Sequence, residues 1–296
     1  MDPAHEGRVL VIGATGTIGR EVVAQLLAAG VPVRALSRHP EHAALPGAEV
    51  VSGDLTLPGT LDAAVRGVET VFLVWTAPAA SVAGAIQAIA RQARRIVFLS
   101  SPHQTPHPFF QQPNPIAALH AAIEREIEAA GLASIILRPG MFASNAGGWW
   151  APQVREGGVV RWPYAAAASA PVDERDIGAV AALVLRDERH AGAQYVLTGP
   201  ESLTHAEQVA IIGEVTGRPL RYEEMEPAEF RRVMAERGAP AVADMLLNAW
   251  SASVGLPAYV TPTVAEVTGR PPRTFRQWAA DHADAFRPDA AARPTA

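Results

Sequence analysis

Three glycines at three-residue intervals, Gly13, Gly16 and Gly19, stand between a short β-branched run, Val9–Ile12, and a stretch of helical apolar spacing that ends at Gly30. Glycines spaced this way suit one task, which is wrapping main chain around an anion. Gly13 permits a tight turn, Gly16 lets the backbone approach a pyrophosphate, and Gly19 lets helix and strand come close. The freed N–H groups around Thr15, Thr17 and Ile18, together with the positive end of the helix dipole, supply the anion site. The spacing is looser than the strict dinucleotide fingerprint. Its place after the first strand and at the head of the first helix nevertheless points to a dinucleotide.

The end of the second strand decides which one. An NAD site asks for a carboxylate there to accept from the ribose hydroxyls. This chain reads Ala35-Leu36-Ser37-Arg38-His39-Pro40, with no carboxylate before Glu41. Arg38 can make paired hydrogen bonds to a 2′-phosphate and Ser37 can add another, so NADP is expected rather than NAD. Asp54 is placed either to accept from the adenine amino group or to cap a turn, and Leu55 to pack on the ring. Thr76, Ala77 and Pro78 follow the fourth strand and are expected beside the ribose and pyrophosphate. Ser100 closes the fifth strand, and Pro139 and Met141 close the sixth, at carboxyl ends that face the ligand in such sheets.

His120 lies on a helix rising from that crevice and is the catalytic candidate. It can contact the cofactor ribose, transfer a proton near neutral pH, or serve a structural end. Glu124, one turn later, can orient it. His103 and His107 fall in the Pro-rich loop SSPHQTPHPFFQQPNP; their spacing on irregular chain is poor metal geometry, and no metal site is expected. His103, Phe109, Phe142, Asn145, Trp149, Trp150 and Trp162 form the expected substrate wall, with Phe110 and Tyr164 nearby. Flat aromatic side chains suit a planar or hydrophobic small molecule. The competing reading of the same residues is an ordinary core joining two regions. Asp173 and Asp176 precede an apolar helix and read as caps and joining residues.

Strands alternating with helices must position these groups. Strands are expected at Val9–Ile12, Val33–Leu36, Glu49–Val51, Thr70–Val74, Arg95–Leu99 and Ser134–Leu137, with helices at Thr17–Ala29, Leu61–Arg66, Val82–Gln92 and Ile116–Ala130 between them. Near-continuous apolar strands of this kind form a parallel sheet covered on both faces, an α/β doubly wound Rossmann sheet. Residues 1–140 are expected to be the dinucleotide-binding core and 141–296 a smaller, mostly helical substrate region, with 172–200 packing back onto the core. Gly140–Pro171 shows no clear period and reads as a loop-rich wall. Helices follow at Asp176–Leu185, after Ser202 or Thr204 through Glu214, and at Pro227–Arg237, Val242–Trp250 and Phe275–Ala283. Gln194–Leu197 reads as a returning strand, and the tail from Arg287 is expected to fray.

Composition narrows the field. Of 296 residues, 25 are basic and 30 acidic, a balance of −5 that offers no phosphate-neutralising surplus for nucleic acid. The absence of cysteine removes disulfides, thiolate nucleophiles and Cys-ligated metals. No stretch has the length of a membrane span and the start lacks the pattern of a signal peptide, so a cytoplasmic protein, monomeric or homodimeric, is expected.

The segments GATGTIG at 13–19, SRHP at 37–40, GDL at 53–55, HAAIEREIEAAGL at 120–132, ILRPGMFASN at 136–145, VDERDIGAVAALVL at 172–185 and YVLTGPESLTHAEQVAIIGEVTGRPLRY at 195–222 resemble the NmrA-like branch of the atypical short-chain dehydrogenase/reductases. The resemblance covers about residues 8–225 well. It implies NADPH-dependent reduction of quinones, triphenylmethane dyes or phenylpropanoid ethers, or redox sensing without turnover. Typical members of the wider family pair a proton-donating Tyr with a Lys four residues later; here Ile116 and His120 stand in those places. Alcohol–ketone chemistry is thereby put in doubt, while hydride transfer to a quinone, imine or enone stays open. A cofactor-sensing regulator and a non-redox tailoring enzyme are the alternatives.

Overall fold

The computed structural model describes residues 7–288, so the first six residues and the end of the C-terminal tail lie outside it. Six strands arise where the apolar runs stand: β1 (Val9–Ile12), β2 (Val33–Ser37), β3 (Glu49–Ser52), β4 (Thr70–Val74), β5 (Arg95–Leu99) and β6 (Ala133–Pro139). Between them run α1 (Thr17–Ala28), α2 (Leu61–Val65), α3 (Val82–Ala90) and α4 (Pro115–Ala129). The sheet has the order β3-β2-β1-β4-β5-β6-β9, where β9 is Gln194–Leu197, and every pairing is parallel. Its order reverses between β1 and β4, and the crevice at that point is where such sheets take their ligands.

Both faces are covered, as continuous apolar strands require. On one face Val9, Val11, Phe72, Val97 and Leu137 meet α1 and a returning helix, α6 (Glu174–Val184). On the other, Leu10, Ile12, Leu73, Ile96 and Phe98 meet α2, α3 and α4. The chain thus leaves the sheet after β6 and comes back in two pieces: α6 lies against α1, and β9 hydrogen-bonds along β6. Asp173 caps α6 by accepting from the Arg175 N–H at 2.9 Å and pairs with Arg273 at 2.6 Å. Asp176 accepts from the Arg273 main-chain N–H at 2.7 Å. The two carboxylates therefore tie α6 to the chain just before α11 (Phe275–Asp281).

The stretch 140–171 corrects the sequence expectation. It holds a helix, α5 (Asn145–Glu156), and two strands, β7 (Val159–Trp162) and β8 (Ala168–Ser169). Gly147, Gly148 and Pro152 hide the helix, because each lowers helix propensity. What forms it is burial of Ala146, Trp150, Ala151 and Val154 along one face. Beyond β9, β10 (Leu203–Thr204) pairs antiparallel with β8. There follow α7 (His205–Thr216), β11 (Arg221–Glu224), α8 (Pro227–Glu236), α9 (Pro240–Ser253) and α10 (Thr263–Thr268). Thr204 and Glu207 form a reciprocal cap at the head of α7. The polar β11 did not read as a strand; it pairs parallel with β7. These elements enclose a third core built on Trp150, Trp162, Trp250, Phe230, Phe275 and Phe286.

Candidate active site

The glycine turn is shaped by contacts that only glycine permits. Gly13 has φ +81°, and a Cβ there would lie 2.8 Å from the Val74 Cβ. At Gly19 a Cβ would lie 2.1 Å from the Gly13 carbonyl oxygen and 2.8 Å from the Ala14 Cα, so helix and turn touch backbone to backbone. Helix α1 starts at Gly16 with no side-chain cap and no acidic residue in its first turn. Its leading N–H groups are left for a ligand. This turn opens onto a cleft of about 430 Å³ lined by Thr15, Gly16, Thr17, Ile18, Leu36, Ser37, Arg38, Asp54, Leu55, Thr56, Thr76, Ala77, Pro78 and Phe142, among others. The elongated set of lining residues, running from the ends of β2 and β3 across β1 to β4, fits a dinucleotide.

At the adenosine end, Arg38 makes no hydrogen bond or ion pair among the described residues, whereas the Ser37 Oγ accepts from the His39 N–H at 3.1 Å. Asp54 proves to be a turn former: Oδ1 accepts from both the N–H and the hydroxyl of Thr56, each at 2.8 Å. Those two bonds, with Arg38 adding attraction, hold its carboxyl below the usual range. The residue that sequence reading overlooked here is Thr56, which lines the cleft beside Leu55.

Above β5 and β6 lies a buried polar cluster. Arg138, 2% exposed on β6, makes a two-pronged pair with Glu124 of α4, both contacts at 2.8 Å. The Ser100 hydroxyl donates to the same carboxylate, and Arg138 also reaches the Ser101 carbonyl and the His103 Nδ1, both at 3.1 Å. Glu124 is thus engaged by Arg138 and Ser100, with no hydrogen bond to His120. His103, expected in the substrate wall, is held in this cluster; burial first and the Arg138 charge second push its pKa down. Arg138 and Glu124, the centre of the arrangement, were not singled out as a pair from the sequence, although a charge inside an apolar strand such as Ile135–Pro139 signals a buried partner.

His120 sits edge-on to Phe98, with ring centroids 5.6 Å apart, and its Nδ1 is buried without a partner. Burial lowers its pKa to about 4, against the pull of Glu124. The ring is neutral near neutral pH and lines neither of the clefts described here, which favours the structural reading over proton transfer. His205, buried in the third core with its Nδ1–H donating to the Pro163 carbonyl, is pushed down to about 4 by the same cause. Both histidines regain the ordinary value on unfolding, so the unfolded chain binds more protons between about pH 6.5 and 4. Their contribution is intact above that window and is lost as pH falls through it. The melting temperature should drop by several degrees from pH 7 to pH 5, and His205→Gln should flatten the slope; an equal slope in wild type and variant would contradict this.

A second, apolar cleft flanks the first. It is lined by His107, Phe109, Phe110, Gly140, Met141, Ala168, Ser169, Ala170, Thr198, Ala258 and Tyr259 and encloses about 10 Å³. Consecutive residues of the β6–α5 turn line the two, Phe142 the larger and Met141 the smaller. Of the expected aromatic wall, Phe109 and Phe142 line a cleft. Trp150 and Trp162 do not: they are 0% and 4% exposed and pack with Trp250 and Phe230 inside the third core. Trp149 stacks on Trp162 at 5.6 Å, and Asn145 opens α5. The three tryptophans belong to the joining core that was the competing reading, where large aromatic rings packed edge to face bury more surface than a solvent-lined wall could, and Asn145 lines neither cleft. Phe110, expected near the wall, also lines the smaller cleft, and Tyr259 is the aromatic cleft residue that the sequence reading lacked.

Among the described residues, no group of three or more His, Asp or Glu is placed to hold a metal, and no helix is long and apolar enough to cross a membrane. A protein from Streptomyces griseus subsp. griseus, "(4-alkanoyl-5-oxo-2,5-dihydrofuran-3-yl)methyl phosphate reductase", is 40% identical over 289 residues, 95% of this chain and 100% of its own length. An NAD(P)H azoreductase from Xenophilus azovorans is 34% identical over 285 residues, 94% of this chain and 99% of its own. The structure resembles that of an NADPH-dependent quinone oxidoreductase from Escherichia coli complexed with NADPH, with a TM-score of 0.79, 24% identity and coverage of 93% and 99%. The sequence model of the NmrA-like family matches residues 5–252, and the chain belongs to that family.

Proposed function

We propose that the protein is an NADPH-dependent reductase that passes hydride to a planar or hydrophobic acceptor such as a quinone, imine or enone. The observation that carries this reading is a pair of clefts lined by consecutive residues of the β6–α5 turn, one shaped for a dinucleotide and the other apolar and aromatic. The first-turn N–H groups of α1 and the glycine turn hold the pyrophosphate, Arg38 and Ser37 the 2′-phosphate, and Leu55 the adenine. Thr76, Ala77 and Pro78 lie along the middle of the cofactor. Bound NADPH supplies the hydride; the chain's own residues bind, orient and keep water out. An exposed Ile116 stands where the wider family's proton donor would be, so the proton for the acceptor comes from another group or from solvent. Both relatives bear names of reductases acting on unsaturated compounds, a dihydrofuranone phosphate and an azo compound.

The test is loss of NADPH absorbance with quinone, imine, enone and dye acceptors. Turnover with at least one is expected; binding of NADPH with no turnover across the set would replace this reading with a sensor. Arg38→Ala should weaken NADPH about 10- to 100-fold, the loss of charge-assisted hydrogen bonds to the phosphate, and leave NADH nearly unchanged. Equal losses for both cofactors would show that Arg38 does not read the 2′-phosphate.

A further inference from the structure

One wall of the acceptor cleft comes from a strap, residues 254–262, that runs from the end of α9 to α10 and puts Ala258 and Tyr259 on the cleft. Few of its side chains enter a core: Val254, Leu256 and Val260 are 45%, 42% and 42% exposed. Hydrogen bonds hold it instead. The His107 Nε2 donates to the Pro257 carbonyl at 3.0 Å, the Ala258 N–H to the Ser202 Oγ at 2.8 Å, and the Thr261 N–H to the Thr198 Oγ1 at 2.9 Å. Between these fastenings Tyr259 turns its ring onto the cleft, 6.5 Å from the His107 ring. The space left is about 10 Å³, room for roughly one water.

Reduction of a quinone or enone needs a proton at the acceptor oxygen as well as hydride at carbon. His120, the donor candidate from the sequence, and the nearby Ile116 and Ser100 do not supply it. Ile116 carries no proton, Ser100 donates to Glu124, and His120 is buried and neutral. Within the cleft, His107 is also committed. Its Nδ1 accepts from the Phe109 N–H at 3.3 Å, which puts the ring proton on Nε2, where the Pro257 carbonyl takes it. The hydroxyls of Ser169 and Thr198 already accept from Gln208 and Thr261 and, as aliphatic alcohols, are very weak acids. The Tyr259 phenol is different. It lines the cleft, it makes no hydrogen bond among the described residues, and a phenol is the strongest acid among these uncommitted groups.

Resting on the reductase reading above, we propose that Tyr259 is the proton donor to the acceptor oxygen, carried into place by the strap. Hydride from the reduced dinucleotide forms the new C–H bond and leaves that cofactor oxidised, and the electron pair of the acceptor's π system moves to its oxygen. The Tyr259 O–H bond breaks as its proton goes to that oxygen, and the phenolate recovers a proton from water. His107 is a positioning residue: its fixed tautomer fastens the strap so that the phenol faces the cleft.

Tyr259→Phe tests this with two readouts, since the ring and its packing are kept. Turnover of a quinone or enone should fall about 100-fold, the low end for a lost general acid. Coumarin, a planar carbonyl compound, should bind about tenfold more weakly to the variant in calorimetry without cofactor, the loss of one hydrogen bond. NADPH affinity should be unchanged. A variant that turns over and binds coumarin as wild type does overturns the proposal and leaves the reductase reading standing. A wild-type protein inert to every acceptor would remove the reductase reading, and the donor role would fall with it.

Discussion

Gly19→Ala is expected to abolish dinucleotide binding, weakening NADPH at least about 100-fold, and to cost about 3 kcal/mol of stability. The added Cβ would stand 2.1 Å from the Gly13 carbonyl oxygen and 2.7 Å from its carbon. Both are backbone atoms, so no rotamer change relieves the clash. Either α1 moves away from the turn or the turn opens, and each displaces the N–H groups that face the pyrophosphate. Gly16 offers a control, because a Cβ there meets nothing closer than 3.4 Å. Gly16→Ala should therefore keep the fold, and any loss of NADPH affinity would come from the ligand side alone. Fluorescence titration with NADPH and urea unfolding of the two variants measure the difference; a Gly19→Ala protein of wild-type affinity would refute the argument.

Glu124→Gln should destabilise the protein by about 3 kcal/mol, because it leaves a buried guanidinium without its carboxylate. Arg138 is 2% exposed and Glu124 is its carboxylate partner at 2.8 Å. The remaining contacts of Arg138, to the Ser101 carbonyl, the His103 ring and Gln194 at 3.2 Å, supply no negative charge and do not replace the carboxylate. Replacing both partners with apolar residues, as in Glu124→Leu with Arg138→Met, should recover much of the loss, since no ion is then left in the interior. A double-mutant cycle by urea unfolding reads the coupling directly. Additive losses in the two single variants would mean that the pair does not act as a unit.

The sheet was legible because its central strands are almost wholly apolar and several of its helices, α1 and α4 among them, stop just before a glycine, so local pattern and tertiary placement agree. That Arg38 would line the cleft was legible for a similar reason: it follows the end of β2, which faces the ligand crevice in such sheets. Helix α5 was not, because Gly147, Gly148 and Pro152 argue against a helix that only tertiary burial of Trp150 and Val154 sustains. Counting aromatics could not separate wall from interior, and Trp150 and Trp162 went to the interior. The Arg138–Glu124 pair joins a strand to a helix, and Tyr259 sits on an irregular strap far along the chain from the loop it faces. Neither has a local period to betray it. His120 was found by its offset on α4, yet its orientation toward Phe98 is a packing outcome that the offset does not contain.

The return of α6 and β9 to the sheet has a consequence for the chain as it emerges during synthesis. When β6 has been made, the first six strands are complete in sequence, but the outer edge of β6 has no neighbour and the apolar face of α1 has no cover. The α1 face waits for α6, complete at Val184, and the β6 edge waits until residue 197 is available, with the whole of α5, β7 and β8 to be threaded in between. An open edge beside a bare apolar face is the surface most prone to pairing with another chain. The nascent protein therefore passes through a sticky interval some 60 residues long, and its soluble yield depends on how quickly that interval is crossed.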